Sequence, residues 1–276
     1  MKKISLMLSA VVMTAMMLSS CEGGESNEES ASNEESASNE ESASNEESAS
    51  NEESASTEVT IGTQVWMTKN LDVATFRNGD PILEAKTNEE WVKAGENKQP
   101  AWCYYDNDPK NGTKYGKLYN WYAVNDSRGL APAGWHIPTD AEWTTLENQL
   151  GDDLGKKMKS ASGWTSYETD NTCSNCRDWN EEYRKKVPCH ECKDNRVIKE
   201  TISGNGTNST GFSGLPGGFR LVNGLFDDFG SLGFWWSATE YSTDYAYYRG
   251  LSRASDYRLS YGSNEGLGLS VRCLRD

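Results

Sequence analysis

Between Gly134 and Gly151 the chain reads GWHIPTDAEWTTLENQLG, and Trp143, Leu146 and Leu150 recur at i, i+3 and i+7. That spacing places them on one face and predicts an amphipathic helix. Thr139 is its cap, Glu142 three residues on completes a capping box, and Gly151 is its stop. Ile137 and Trp143 flank the cap at the spacing of a hydrophobic staple. Upstream, Val59–Met67 alternates around a Gly and predicts a hairpin. Thr87 and Glu90 predict a second, shorter helix with its own capping box, and Ala101–Tyr105 predicts an apolar strand. The cluster Asn107–Gly112 predicts a turn. Tyr115–Val124 has the spacing of a helical start, and Leu154 and Met158 mark another short segment. Downstream, Ala246–Arg249, Asp256–Leu259 and Gly268–Leu274 predict consecutive antiparallel strands. In the last of these, Leu269, Val271 and Cys273 face one way, and Ser270, Arg272 and Leu274 the other.

Two stretches lack such patterning. Residues 26–55 are five copies of SNEESA, with no apolar group larger than a methyl. They cannot bury enough surface to offset the entropy of ordering, which predicts a disordered acidic tether over 21–57. Residues 22–57 hold twelve Glu and no Lys or Arg. With these and the two leading lysines set aside, 42 acidic and 27 basic residues become 30 and 25. The net charge of −15 is therefore mostly a tether property, and the chain lacks the basic footprint that nucleic-acid binding needs. The second unpatterned stretch, about 165–205, is polar and holds four of the seven cysteines.

Residues 1–20 combine Lys2 and Lys3 with a short apolar run that ends in Leu-Ser-Ser before Cys21. This describes an export signal, because the run is too short to span a bilayer comfortably. Leu-Ser-Ser-Cys resembles a lipobox, which makes Cys21 the lipidated first residue of the mature chain. A durable attachment needs more than one acyl chain. The expected location is the bacterial outer membrane or cell surface, with the membrane itself as a partner through the lipid. Residues 58–276 then form the folded head. Its ten Trp and thirteen Tyr predict a core of large rings.

The motifs IGTQVWMTKNLDV (61–73), GKLYNWYAV (116–124), GWHIPTDAEW (134–143), GFSGLPGGFR (211–220), FWWSATE (234–240) and GLSVRCLRD (268–276) together resemble the Fibrobacter succinogenes major paralogous domain. The resemblance implies an α+β, C-type-lectin-like domain with two helices, short twisted antiparallel sheets and termini close together. That fold is shared with formylglycine-generating enzymes. It also implies a secreted or lipid-anchored protein with a role in binding or adhesion. The family pattern runs from Gly163-Trp164 almost directly into Asn205-Gly206-Thr207, so 165–205 is an insertion.

Cys173-x-x-Cys176 and Cys189-x-x-Cys192 form two knuckles whose thiolates suit a tetrahedral structural zinc. In an oxidising compartment the same four residues could instead form two disulfides, and both readings stay open. His190 sits inside a set already complete. Cys103 and Cys273 are candidates for a disulfide linking an early and a late strand. Asp227 and Asp228, with Asn223, offer clustered oxygens for calcium, although a plain turn accounts for them better. Trp235, Trp236, Tyr241, Tyr245 and Tyr247 are candidate ligand-binding aromatics, alongside Asp227 and Asp228. No catalytic set can be assembled around the two histidines. The expected function is a binding or adhesion head for an extracellular glycan or protein. An enzyme on a formylglycine-generating-like scaffold and a purely structural envelope component are the alternatives.

Overall fold

The structure, a computed structural model, describes residues 57–170 and 199–276. Cys21, the SNEESA repeats and the four knuckle cysteines lie outside the described residues. Two units divide the chain, Met1–Asn51 and Glu52–Asp276, and all described residues belong to the second.

The described residues are α+β, with short helices and several small sheets. The strands are β1 (Glu58–Ile61), β2 (Gln64–Met67), β3 (Leu83–Glu84), β4 (Ala101–Cys103), β5 (Leu118–Tyr119), β6 (Trp135–His136), β7 (Tyr167–Asp170), β8 (Lys199–Ile202), β9 (Phe219–Arg220), β10 (Phe226–Asp227), β11 (Leu232–Ser242), β12 (Tyr245–Ser252), β13 (Ser255–Asn264) and β14 (Leu274–Arg275). The helices are α1 (Asn88–Glu96), α2 (Pro109–Tyr115), α3 (Trp121–Val124), α4 (Asp140–Leu150) and α5 (Leu154–Met158). The sheets run β1-β2-β14-β6, β3-β4-β5, β11-β12-β13, β9-β10 and β7-β8, antiparallel except for the β3–β4 pair.

Both capping boxes form as their spacing predicts. In α1 the Thr87 side chain accepts from Glu90 N, and in α4 Thr139 accepts from Glu142 N. Trp143 and Leu146 of α4 are buried, each stabilising the docked helix by about 1.5–3 kcal/mol. Ile137 packs into a different apolar cluster from Trp143, so the expected staple gives way to a chain that enters α4 between two clusters. The turn expected at Asn107–Gly112 is instead the start of α2. Asp108 caps that helix and Pro109 occupies its first turn, where a missing N–H costs nothing. The helical start expected at Tyr115–Val124 is cut at Gly116 (φ 72°), whose added Cβ would stand 2.7 Å from the Leu71 carbonyl. Helix resumes only where Asn120 caps α3.

Residues 268–274 are the spine of the domain. Instead of a third hairpin strand, they form an extended segment stitched to nearly every sheet. Gly268 exchanges two backbone hydrogen bonds with Arg220, and Leu269 exchanges two with Tyr119. Ser270 bonds to Phe234 and Trp236, Val271 to Leu71, and Cys273 to Met67. Leu274 then pairs with Trp66 of β2 and His136 of β6, placing the last strand between the opening hairpin and β6. The expected alternation holds, but both faces are buried. Leu269, Val271 and Cys273 join the cluster around Trp121 and Trp236, while Leu274 joins the one around Trp66, Trp143 and Trp235.

The polar members of the spine are buried through specific partners. Arg272 is fully enclosed with no carboxylate beside it. Its guanidinium donates to Asn70 Oδ1 (2.7 and 3.1 Å) and to the carbonyls of Met67 and Phe212, and lies 4.5 Å from the Phe212 ring centroid. Burial pulls its pKa down to about 9. Arg220 repeats the arrangement, donating to the carbonyls of Gly224, Ala85 and Thr87 between the Trp91 and Phe226 rings. Each guanidinium is an internal clasp that satisfies carbonyls the short strands leave unpaired.

The insertion leaves the domain on a closed stem. Trp164 N donates to Asn205 Oδ1 at 3.0 Å, and β7 pairs with β8 from Tyr167↔Ile202 to Asp170↔Lys199. The two strands thus bracket the four knuckle cysteines.

Candidate functional site

Five elements converge at the start of the spine and leave a groove of about 530 Å³ between them. The C-terminal end of α1 supplies Val92, Gly95 and Glu96, followed by Lys98 in a left-handed conformation (φ 51°). α3 supplies Tyr122, and the loop between β9 and β10 supplies Val222 and Asn223. The β11–β12 turn supplies Asp244 (φ 67°), and the β13 end supplies Asn264 and Gly266.

Bonds to the backbone hold much of the groove in shape. Glu265 N donates to Asp244 O (3.1 Å), Trp121 N to Glu265 O (2.8 Å), and Trp91 Nε1 to Gly266 O (3.1 Å). Asn264 Oδ1 accepts from Gly266 N at 2.9 Å and Asn223 Oδ1 from Leu225 N at 3.1 Å. Both amides thus spend their oxygens on their own turns, while their NH₂ groups and the Tyr122 hydroxyl have no hydrogen-bond partner among the described residues. Such preformed, unspent donors on a concave surface are what a binding site needs.

Charge in the groove is lopsided. Lys98 Nζ meets Asp244 Oδ1 at 2.7 Å, which raises the lysine's pKa. Glu265 lies between two lining residues and is only 4 % exposed. No hydrogen-bond donor reaches its carboxylate among the described residues. Among the described residues the side-chain atoms both fully enclosed and unpartnered are Gln64 Oε1, Trp66 Nε1 and Trp143 Nε1, so the small exposure Glu265 retains includes its carboxylate. Burial raises its pKa; Lys98 opposes that rise, and Glu240 and Asp244 add to it. Burial likewise raises the Tyr122 phenol, with Glu265 adding to the effect.

The aromatic residues singled out by sequence divide. Trp235 is 1 % and Trp236 0 % exposed, which removes both from any ligand surface. The physical reason is that β11 has no solvent face over Gly233–Ser237: Trp236 packs into one apolar cluster and Trp235 into the other. Their indole N–H groups are spent on Tyr119 O and Asn70 Oδ1. Tyr241 and Tyr245 are exposed near the β11–β12 turn, on the hairpin that carries Asp244. Tyr241 stands edge-on to Tyr247, with ring centroids 5.0 Å apart.

Asp227 and Asp228 form a turn, with Asp227 Oδ1 accepting from Asp228 N at 2.8 Å. Asn223, expected to join them, lines the groove instead. Among the described residues no group of three or more His, Cys, Asp or Glu is placed to hold a metal ion. The disulfide weighed for Cys103 and Cys273 is not formed. Both are buried thiols in separate apolar clusters, and burial pushes each up to about 12. Cys173, Cys176, Cys189 and Cys192 lie outside the described residues.

Lys98, Tyr122, Asp244, Asn264 and Glu265 were not singled out by sequence reasoning. The one local signal was Asn264-Glu265-Gly266, a polar turn set immediately before the most apolar segment of the head.

A second opening of about 530 Å³ borders β1, but Glu58 on its rim is taken by Arg275 and Lys114 lies over the Tyr115 ring at 5.2 Å. No helix among the described residues is long and apolar enough to cross a membrane.

The family model described as the Fibrobacter succinogenes major domain matches residues 59–275. No curated protein and no solved structure matches the chain.

Proposed function

The chain belongs to the Fibrobacter succinogenes major domain family, and from that premise we propose that it is an envelope lipoprotein whose C-type-lectin-like head binds a saccharide in the groove between α1 and the β11–β12 turn. In this reading Cys21 carries the lipid at the outer membrane or cell surface, and the SNEESA repeats are the tether. The observation that carries the proposal is the groove's lining. Two amide NH₂ groups and a phenol await partners, carboxylates are available to accept from hydroxyls, and Val92, Val222 and the glycines provide apolar walls. A hydroxyl-bearing ring needs that mixture of donors, acceptors and aliphatic contact. Tyr241 and Tyr245 add exposed rings on the same hairpin, suited to stacking on a sugar face. Small sheets, capped short helices and a last strand paired with the opening hairpin support the C-type-lectin-like reading of the fold.

The test is an oligosaccharide array probed with the full chain, followed by calorimetric titration of the hits. Saturable binding that Tyr122→Phe and Asn264→Ala each weaken is expected. Binding to no saccharide, or binding indifferent to both substitutions, overturns the assignment. The knuckle cysteines on the β7–β8 stem are part of the same proposal, as a zinc site that shapes the insertion. Metal analysis of the purified protein with thiol titration tests it: one zinc and four protected thiols support zinc, and disulfides without zinc refute it.

A further inference from the structure

The charge around the groove narrows the class of saccharide. Glu96, Asp244, Glu265 and Glu240 stand on or beside the groove, and Lys98 is the cation that lines it. Lys98 is already engaged by Asp244. Glu265 is nearly buried, has only the more distant Lys98 charge to offset it, and has no donor on its carboxylate among the described residues. A carboxylate so nearly enclosed is costly to keep ionised, because much of its hydration is lost and no protein donor replaces it. Other buried charges among the described residues are not left in that condition. Arg249 is buried against Glu147, with 2.7 Å from Nε to Oε1, and Asp140 accepts from its Nη2 at the same distance. Lys117, also buried, meets Asp72 and lies over the Trp102 ring.

We propose that the groove selects an amino sugar, with the ring's protonated amine seated between Glu265 and Asp244 and its hydroxyls on Tyr122, Asn223 and Asn264. This rests on the saccharide reading of the same groove and specifies its ligand. The ammonium supplies the donors that Glu265 lacks, in a charge-assisted contact stronger than one between neutral groups. The same carboxylates repel uronic and sulfated sugars, and an N-acetylated amine offers no charge. The groups that set the pH response are Glu96 on α1, Lys98 after it, Tyr122 on α3, Glu240 and Asp244 on the hairpin, and Glu265 itself. Affinity for the amine rises with pH as Glu265 ionises, and falls once the amine loses its proton.

The experiment titrates the full chain by calorimetry with a glucosamine oligomer, its N-acetylated counterpart, a neutral glucose oligomer and trilysine. The glucosamine oligomer is expected to bind at least about tenfold more tightly than the N-acetylated one, the size of one charge-assisted contact. In Glu265→Gln that ratio should collapse to near one, and in Lys98→Met it should widen, because a competing cation is gone. Near-ultraviolet circular dichroism of each variant shows that the head remains folded. Equal or tighter binding of the N-acetylated or neutral oligomer overturns the ammonium selectivity and leaves the saccharide reading standing. Binding to none of the oligosaccharides overturns both. If trilysine alone binds, with the same Glu265 dependence, the ammonium selectivity stands and its assignment to a sugar is overturned.

Discussion

Arg272 on the spine and Glu265 just before it are both counted among the buried charged residues, the first fully enclosed and the second with its carboxylate at the edge of solvent, and they are treated in opposite ways. Arg272 is caged by Asn70 and by carbonyls of Met67 and Phe212, so its donors are spent inside the protein. Glu265 is spent on nothing, although its own backbone N–H and C=O are both bonded. Burial removes a charge from water in both cases, and only the partners differ. A buried charge whose valences are filled by the chain is structural, because removing it orphans the groups around it. A buried charge left open beside a groove costs stability and is available to a ligand.

Substitutions at the two residues should therefore move stability in different directions. The largest effect is expected for Arg272→Met, which strands Asn70 and two carbonyls in the core and should cost about 3–5 kcal/mol of unfolding free energy, read from urea denaturation. A loss under about 1 kcal/mol would mean that the cage contributes little. Next, Arg249→Met leaves Glu147 buried without this partner and should cost about 2–3 kcal/mol, with Glu147→Gln in the same background recovering part of it. Removing the α4 cap by Thr139→Ala should cost about 1 kcal/mol.

His136 is a smaller case. Its ring nitrogens each lie 2.9 Å from a carboxylate, Asp276 on one side and Glu142 on the other. Partial burial lowers its pKa, but the two hydrogen-bonded carboxylates outweigh that and raise it. A group whose folded pKa is raised contributes stability that is fully present below its ordinary value of about 6.5 and is lost as pH rises through the folded value. His136→Ala should cost about 0.5 kcal/mol at pH 5 and nearly nothing at pH 9, as expected for a half-exposed pair.

The smallest change is at Glu265, and its sign carries the comparison. Burial makes the folded state favour the protonated form, so stability falls as pH rises from Glu265's ordinary value through its raised one. Glu265→Gln should leave the thermal midpoint unchanged or slightly higher at neutral pH and flatten that slope. A clear drop in the midpoint would show that the carboxylate has a structural partner after all.

The local elements were the legible part. Thr87 with Glu90 and Thr139 with Glu142 announce two helices because a capping box is satisfied within four residues. The β1–β2 hairpin and the strand at Ala101 are similarly local. The motif at 268–274 could be seen to alternate, but not to be buried on both faces, because what covers the second face comes from β2, Phe212 and Trp235. Trp235 and Trp236 were misjudged for the same reason: a period of two assigns faces but cannot say whether one of them meets water. The groove left almost no trace, since Glu96, Tyr122, Asn223, Asp244 and Glu265 are far apart in the chain and ordinary in type.

Taken alone, the sequence determined the acidic repeat, the cap-bounded helices, the ring-rich head and the family, because each depends on composition or on residues close along the chain. The tertiary structure alone decided that two arginines are internal clasps, that two cysteines stay apart as thiols, and that one glutamate is buried without a partner beside an open groove. Those outcomes turn on which backbone carbonyls and side chains arrive from elsewhere. Desolvation is set by everything that surrounds a group, and one stretch of sequence records only what is next to it.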